Sequence, residues 1–172
     1  MRHLVLIPAL FALAFVTSCK PATPPAPSTA QPASVVRYSS DASFDSVVED
    51  VQHAIAAKGL VVDNVSHIGK MLERTGKDVG STKPIFADGH ADAFSFCSAV
   101  LSRKTMETDP NNVAFCPYTI VVYSPASEPK KVYVAYRRPV LSEGSDASRA
   151  VLKEVETLLD GIVREALRLP AG

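Results

Sequence analysis

Three cysteines and four histidines are the side chains in this 172-residue sequence best suited to redox, metal or nucleophilic chemistry. Cys97 and Cys116 would close a loop of about 20 residues if bridged, stabilising the fold by roughly 3 kcal/mol on the chain-entropy account. Bridging needs Cα atoms within about 7 Å, which spacing alone does not fix. Buried unpaired thiols, or a metal or redox role, are therefore the alternatives. His67, Cys97 and Cys116, supported by His90 or Met106, form a donor set suited to copper, zinc or a haem iron. No two of them show the short spacing of zinc or haem motifs, so an ordinary surface or hydrogen-bonded histidine is the plainer expectation for His67. His90, with Asp88 and Asp92, is expected on a polar loop. Cys116 with His67 as its base would make a thiol nucleophile, but an apolar strand around Cys116 would raise its pKa and blunt it. The basic doublets Arg103-Lys104 and Arg137-Arg138 read as solvated helix and strand ends rather than anion sites.

The third thiol, Cys19, has a different setting. Met1, Arg2 and His3 precede an apolar run from Leu4 to Val16, followed by Thr17, Ser18 and Cys19. A basic start, a short apolar stretch and small residues before a cut site are the parts of a secretory signal. A membrane-spanning helix would need about 20 apolar residues. Val16-Thr17-Ser18-Cys19 resembles the bacterial lipobox, which implies a diacylglyceryl thioether on Cys19 and cleavage before it. Residues 1–18 are thus expected as a lipoprotein signal peptide, and two or three acyl chains would hold the mature protein at a bilayer. Lys20 stands where aspartate would signal inner-membrane retention in enterobacteria, which mildly favours the outer membrane. Residues 19–35 contain Pro21, Pro24, Pro25, Pro27 and Pro32 and read as an extended tether between the lipidated Cys19 and a globular region from 36 to 172. With Cys19 lipidated, two thiols remain in an oxidising compartment, an even number that invites a disulfide between Cys97 and Cys116.

Composition narrows the partners. Lysine plus arginine balance aspartate plus glutamate at 18 each, so no basic field draws the chain to nucleic acid. Tryptophan is absent, and aromatics make up only 7%, which weakens the case for stacked bases.

The elements that must position these groups follow from periodicity. Val35 to Ser39 reads as a strand. Ser43 caps a helix carrying Phe44, Val47, Val48, Val51 and Ile55 at three- and four-residue steps, and Gly59 ends it. Leu60 to Val65 is a strand, Ile68 to Thr75 a short helix closing at Gly76, Ala93 to Cys97 a strand, and Ser98 to Thr108 a helix stopped by Asp109-Pro110. Val113 to Tyr123 and Lys131 to Arg137 read as an antiparallel hairpin. From about Ala147 to Leu169, Val151, Val155, Leu158, Leu159, Ile162 and Ala166 make an apolar stripe, with Lys153, Glu154, Glu156, Asp160 and Arg164 expected on the wet side. The fold class is α+β, a two-layer sandwich with a mostly antiparallel sheet covered by helices and a long C-terminal amphipathic helix.

Ala57-Lys58-Gly59, Val62-Asp63-Asn64-Val65-Ser66-His67, Phe96-Cys97-Ser98, the run Cys116 to Tyr123, and Val132-Tyr133-Val134-Ala135-Tyr136 together resemble domain-of-unknown-function family 302, an uncharacterised bacterial group. The resemblance covers residues from about Phe44 to Pro139. It implies a compact two-layer α/β domain and no particular activity. Gly69 to Gly80 departs from the family pattern, and the C-terminal helix lies outside it.

The resulting functional expectation is a non-enzymatic, lipid-anchored module facing the periplasm that binds a small ligand, metal or haem around His67, Cys97 and Cys116. The runner-up is a structural or partner-binding envelope lipoprotein with a Cys97–Cys116 disulfide, acting through the terminal helix. A thiol enzyme is third. The bilayer is the one partner named, through Cys19; nucleic acid is not expected.

Overall fold

The computed structural model describes residues 34–141 and 143–170; the segment expected as a signal peptide, Cys19 and most of the expected tether lie outside them. Strands β1 (Val35–Ser40), β2 (Val62–His67), β3 (Phe86–Phe96), β4 (Tyr118–Pro125) and β5 (Val132–Arg137) form one sheet. Its order is β1-β5-β4-β3-β2, and every pairing is antiparallel. Helices α1 (Phe44–Ala57), α2 (Ile68–Thr75), α3 (Ala99–Thr108) and α4 (Asp146–Ala166) complete the α+β fold expected from the sequence.

Local chemistry sets the helix ends. Ser43 accepts from Ser46 N at 3.2 Å to start α1, and Gly59, at φ +72°, follows its last turn. Ser98 and Ser145 cap α3 and α4 in the same way. The apolar stripe of α1 (Val47, Val51, Ile55) and that of α4 (Val155, Leu159, Ile162, Val163) meet Phe94, Phe96, Ile120, Val122 and Val134 of the sheet in one core. Removing each such side chain from water contributes about 1.5–3 kcal/mol.

The α4 side of that core holds a polar knot. Tyr38 donates to Asp160 Oδ1 at 2.6 Å, Tyr136 to the same oxygen at 3.1 Å, and Arg164 Nε to Oδ2 at 2.6 Å. Burial pushes Asp160 up, but these donors together outweigh it and hold the carboxyl below its usual range. One turn earlier, Glu156 is 7% exposed and meets Lys153 at 2.9 Å and Arg138 at 3.4 Å. Both acids were expected on the wet side of α4. The helix instead turns them toward Arg138 and the tyrosines, because hydroxyl donors of β1 and β5, Arg138 just past β5, and Lys153 and Arg164 of α4 itself satisfy them there.

On the opposite face of the sheet, Arg37 lies over the Tyr133 ring at 4.5 Å, Tyr133 stacks on Tyr123 at 5.5 Å, and Phe86 meets Tyr123 edge-on at 6.0 Å. This row crosses four strands and ends at the start of β3. The β2–β3 pairing carries a register shift between Val62 and Asn64, so the edge strand β2 is bulged.

Three strands are shifted by two residues or more from the sequence expectation. β2 spans Val62–His67 rather than Leu60 to Val65, so His67 is its last residue. β3 begins at Phe86 rather than Ala93, so His90 lies in a strand and not on a polar loop. The strand expected from Val113 begins at Tyr118, and Pro110–Phe115 form a 3₁₀ turn. Asp109 accepts from Asn111 N at 2.9 Å to cap that turn. Asn112, 2% exposed, donates to Thr105 O at 2.9 Å and meets the Ser148 hydroxyl, tying the turn to α3 and α4. A satisfied buried amide outweighs the strand preference of one valine.

Candidate functional site

Cys97 follows the last residue of β3 and precedes the Ser98 cap of α3. Cys116 ends the 3₁₀ turn, two residues before β4. Because Phe96 pairs with Tyr118 across β3 and β4, the chain ends carrying the two thiols run alongside each other. Their sulphurs lie 3.1 Å apart as free thiols, with Cys97 exposed and Cys116 half-buried. Ser102 Oγ sits 3.5 Å from Cys116 Sγ. Desolvation first, then the neighbouring Cys116 and the charge of Asp63, push the Cys97 thiol up to about 11. Such a thiol is a poor nucleophile at neutral pH but sits within reach of a bridging partner.

His67 is placed elsewhere. It pairs with Asp92 in the register, while Val62 pairs with Phe96, so His67 and Cys97 stand at opposite ends of the β2–β3 ladder. His67 Nδ1 meets Asp92 Oδ1 at 2.9 Å on the surface. His90 stacks on Phe44 with ring centroids 4.3 Å apart and planes 3° from parallel. Met106 is half-buried in α3. The sequence set of His67, Cys97 and Cys116 is thus split between one thiol pair and one surface histidine. Among the described residues, no three histidine, cysteine or acidic side chains gather as a metal site.

A partly open cavity of about 440 Å³ lies on α2 instead, bordered by the segment from Gly76 to Phe86. Leu72, Val79, Pro84, Ile85 and Phe86 supply its apolar wall, and Glu73, Lys77 and Lys83 its charges. Two glycines make the wall close: α2 reaches β3 where Gly69 meets Gly89, and a Cβ on Gly69 would lie 2.1 Å from Gly89 O. Gly89 itself has φ +68°, a conformation side chains rarely adopt. Lys70 Nζ donates to Asp88 O at 2.7 Å and secures the same junction. Sequence reasoning missed this cavity, although the Gly69–Gly80 stretch that departs from the family pattern forms much of it.

A family model described as "Domain of unknown function DUF302" matches residues 36–166. The match runs through α4, so the C-terminal helix lies within the family's extent and not outside it. A crystal structure of an uncharacterised conserved DUF302 protein from Bacillus stearothermophilus superposes with a TM-score of 0.64 at 12% identity, covering 77% of this chain and 98% of that one. At that identity the likeness concerns the fold. No curated protein matches the chain.

Proposed function

We propose that this chain, which belongs to the DUF302 family, is a non-enzymatic small-ligand-binding domain of the cell envelope, held to a bilayer by an acylated Cys19. The observation that carries the binding reading is the cavity of about 440 Å³ on α2, within the roughly 300–1,000 Å³ range of small-molecule sites. The anchor and the periplasmic setting, with the outer membrane favoured, rest on the Val16-Thr17-Ser18-Cys19 tetrad and the apolar run before it. Mass spectrometry of protein from its native host tests both parts. Expected are a chain starting at an acylated Cys19 and, under native conditions, a small molecule released on denaturation. An uncut, unacylated chain overturns the anchor. A chain that carries nothing and shows no thermal shift across a broad small-molecule library overturns the binding reading.

The sulphur separation of 3.1 Å favours a second, compatible reading, in which Cys97 and Cys116 are bridged in the oxidising periplasm and brace the fold. Oxidation joins the two sulphurs with loss of two protons and two electrons to the compartment's disulfide-exchange machinery. Titration of free thiols on the native-host protein should find none; two titratable thiols would overturn the bridge.

A further inference from the structure

We infer that the cavity on α2 takes a free amphiphile with an apolar body and a single anionic head, an inference that rests on the small-ligand reading and names its class. Two features of the wall point there. The first is its apolar side: Leu72, Pro84 and Phe86 line the cavity, and Val79 and Ile85 beside them are 74% and 54% exposed. Large aliphatic side chains left this bare around a concave wall match an apolar ligand body.

The second feature is the balance of charge. Three charged residues line the cavity, Glu73, Lys77 and Lys83. The Glu73 carboxylate is already engaged: Lys70 Nζ lies 3.3 Å from its Oε2, and the same oxygen would lie 2.6 Å from a Cβ on Gly89, so the group is backed against β3. Among the described residues neither Lys77 nor Lys83 is in an ion pair. Asp78, next to Lys77, does not line the cavity. The wall therefore offers two uncommitted ammonium groups against one neutralised acid, which complements a carboxylate or phosphate monoester head and opposes a cationic one.

The probes are octanoate, octanol and octylammonium, titrated calorimetrically into the mature protein, acylated at Cys19 and held in phosphatidylcholine discs, with empty discs as the blank. Octanoate should bind most tightly and octylammonium least. Replacing both lysines, Lys77→Ala with Lys83→Ala, should weaken octanoate about tenfold at low salt, leave octanol unchanged and leave the melting temperature where it was. If octylammonium matches octanoate, or the double variant binds octanoate as before, the anionic class is wrong while small-ligand binding stands. If octanoate is lost when the discs are made of anionic phosphatidylglycerol, a bilayer lipid holds the site and the free-amphiphile inference fails. If none of the three binds, this site assignment fails, and the broad library screen decides the wider reading separately.

Discussion

Gly69 of α2 and Gly89 of β3 meet backbone to backbone, so closely that a single methyl on Gly69 would fall 2.1 Å from the Gly89 carbonyl oxygen. The helix can lie this low on the strand only because both positions lack a side chain. Gly69→Ala should therefore lift α2 and cost about 1–3 kcal/mol, the range for overpacking a tight contact. Urea unfolding checks it; an unchanged midpoint would show that α2 does not need this approach.

The thiol pair gives a stability difference with a redox control. Bridging Cys97 to Cys116 closes the segment containing α3 and the 3₁₀ turn, so oxidised protein should be more stable than reduced protein by about 3 kcal/mol. Cys97→Ser should abolish the difference. Equal melting temperatures for the oxidised and reduced chains would show that the bridge does not brace the fold.

Alkylation of the reduced protein should follow the raised thiol. With Cys97 pushed up to about 11, its reaction with iodoacetamide should be slow at pH 7 and keep rising well above pH 9, since the thiolate is the reacting form. Peptide mapping of Cys97 over that range reads it directly, and a rate already at its plateau by pH 8 shows that partial desolvation and the neighbouring Cys116 and Asp63 do not raise the thiol.

Asp160 predicts an acid-side dependence. Its carboxyl titrates lower in the fold than in the unfolded chain, near 3.9 there, so its stabilisation is present above that value and fades as pH falls through the depressed folded one. Asp160→Asn should destabilise by about 2 kcal/mol at neutral pH and flatten the loss of stability below pH 4. Melting curves from pH 2 to 7 for the two proteins should converge at the acid end.

Asn112 offers a buried test of the 3₁₀ turn. Asn112→Ala leaves the buried Ser148 hydroxyl without its partner, while the Thr105 carbonyl keeps only the Asp109 N–H, and an unmet buried polar group costs about 1–3 kcal/mol. Denaturant midpoints measure it, with Asn111→Ala as the control, because that side chain is exposed.

What was legible in the sequence was whatever depends on short-range pattern. The Val47, Val51, Ile55 spacing with a serine cap and a closing glycine marks α1, and the β-branched runs mark the β4–β5 hairpin. The first half of β3 is not legible because Asp88, His90 and Asp92 have the composition of a polar loop. Its alternation is of another kind, with small Gly89, Ala91 and Ala93 on the face where α2 reaches Gly89 and Ala91. The burial of Asp160 and Glu156 is not legible because nothing local reveals that Tyr38 and Tyr136 on the sheet, and Arg138 just past β5, face them. Of the candidate donors, the thiol pair came together across β3 and β4, whereas His67 did not, since a strand ladder places residues 62 and 67 far apart. The cavity depends on the path of residues 76–86 around α2, which no periodicity encodes.

The bulge in β2 has a consequence for the protein as one copy among many. Both outer strands leave a row of amide and carbonyl groups unpaired, and such rows invite edge-to-edge polymerisation. At β2 the register break after Val62, flanked by Asp63, spoils the template a neighbour would need. At β1 only six residues are offered. Copies crowded side by side can therefore remain separate molecules instead of zipping into a continuous ribbon.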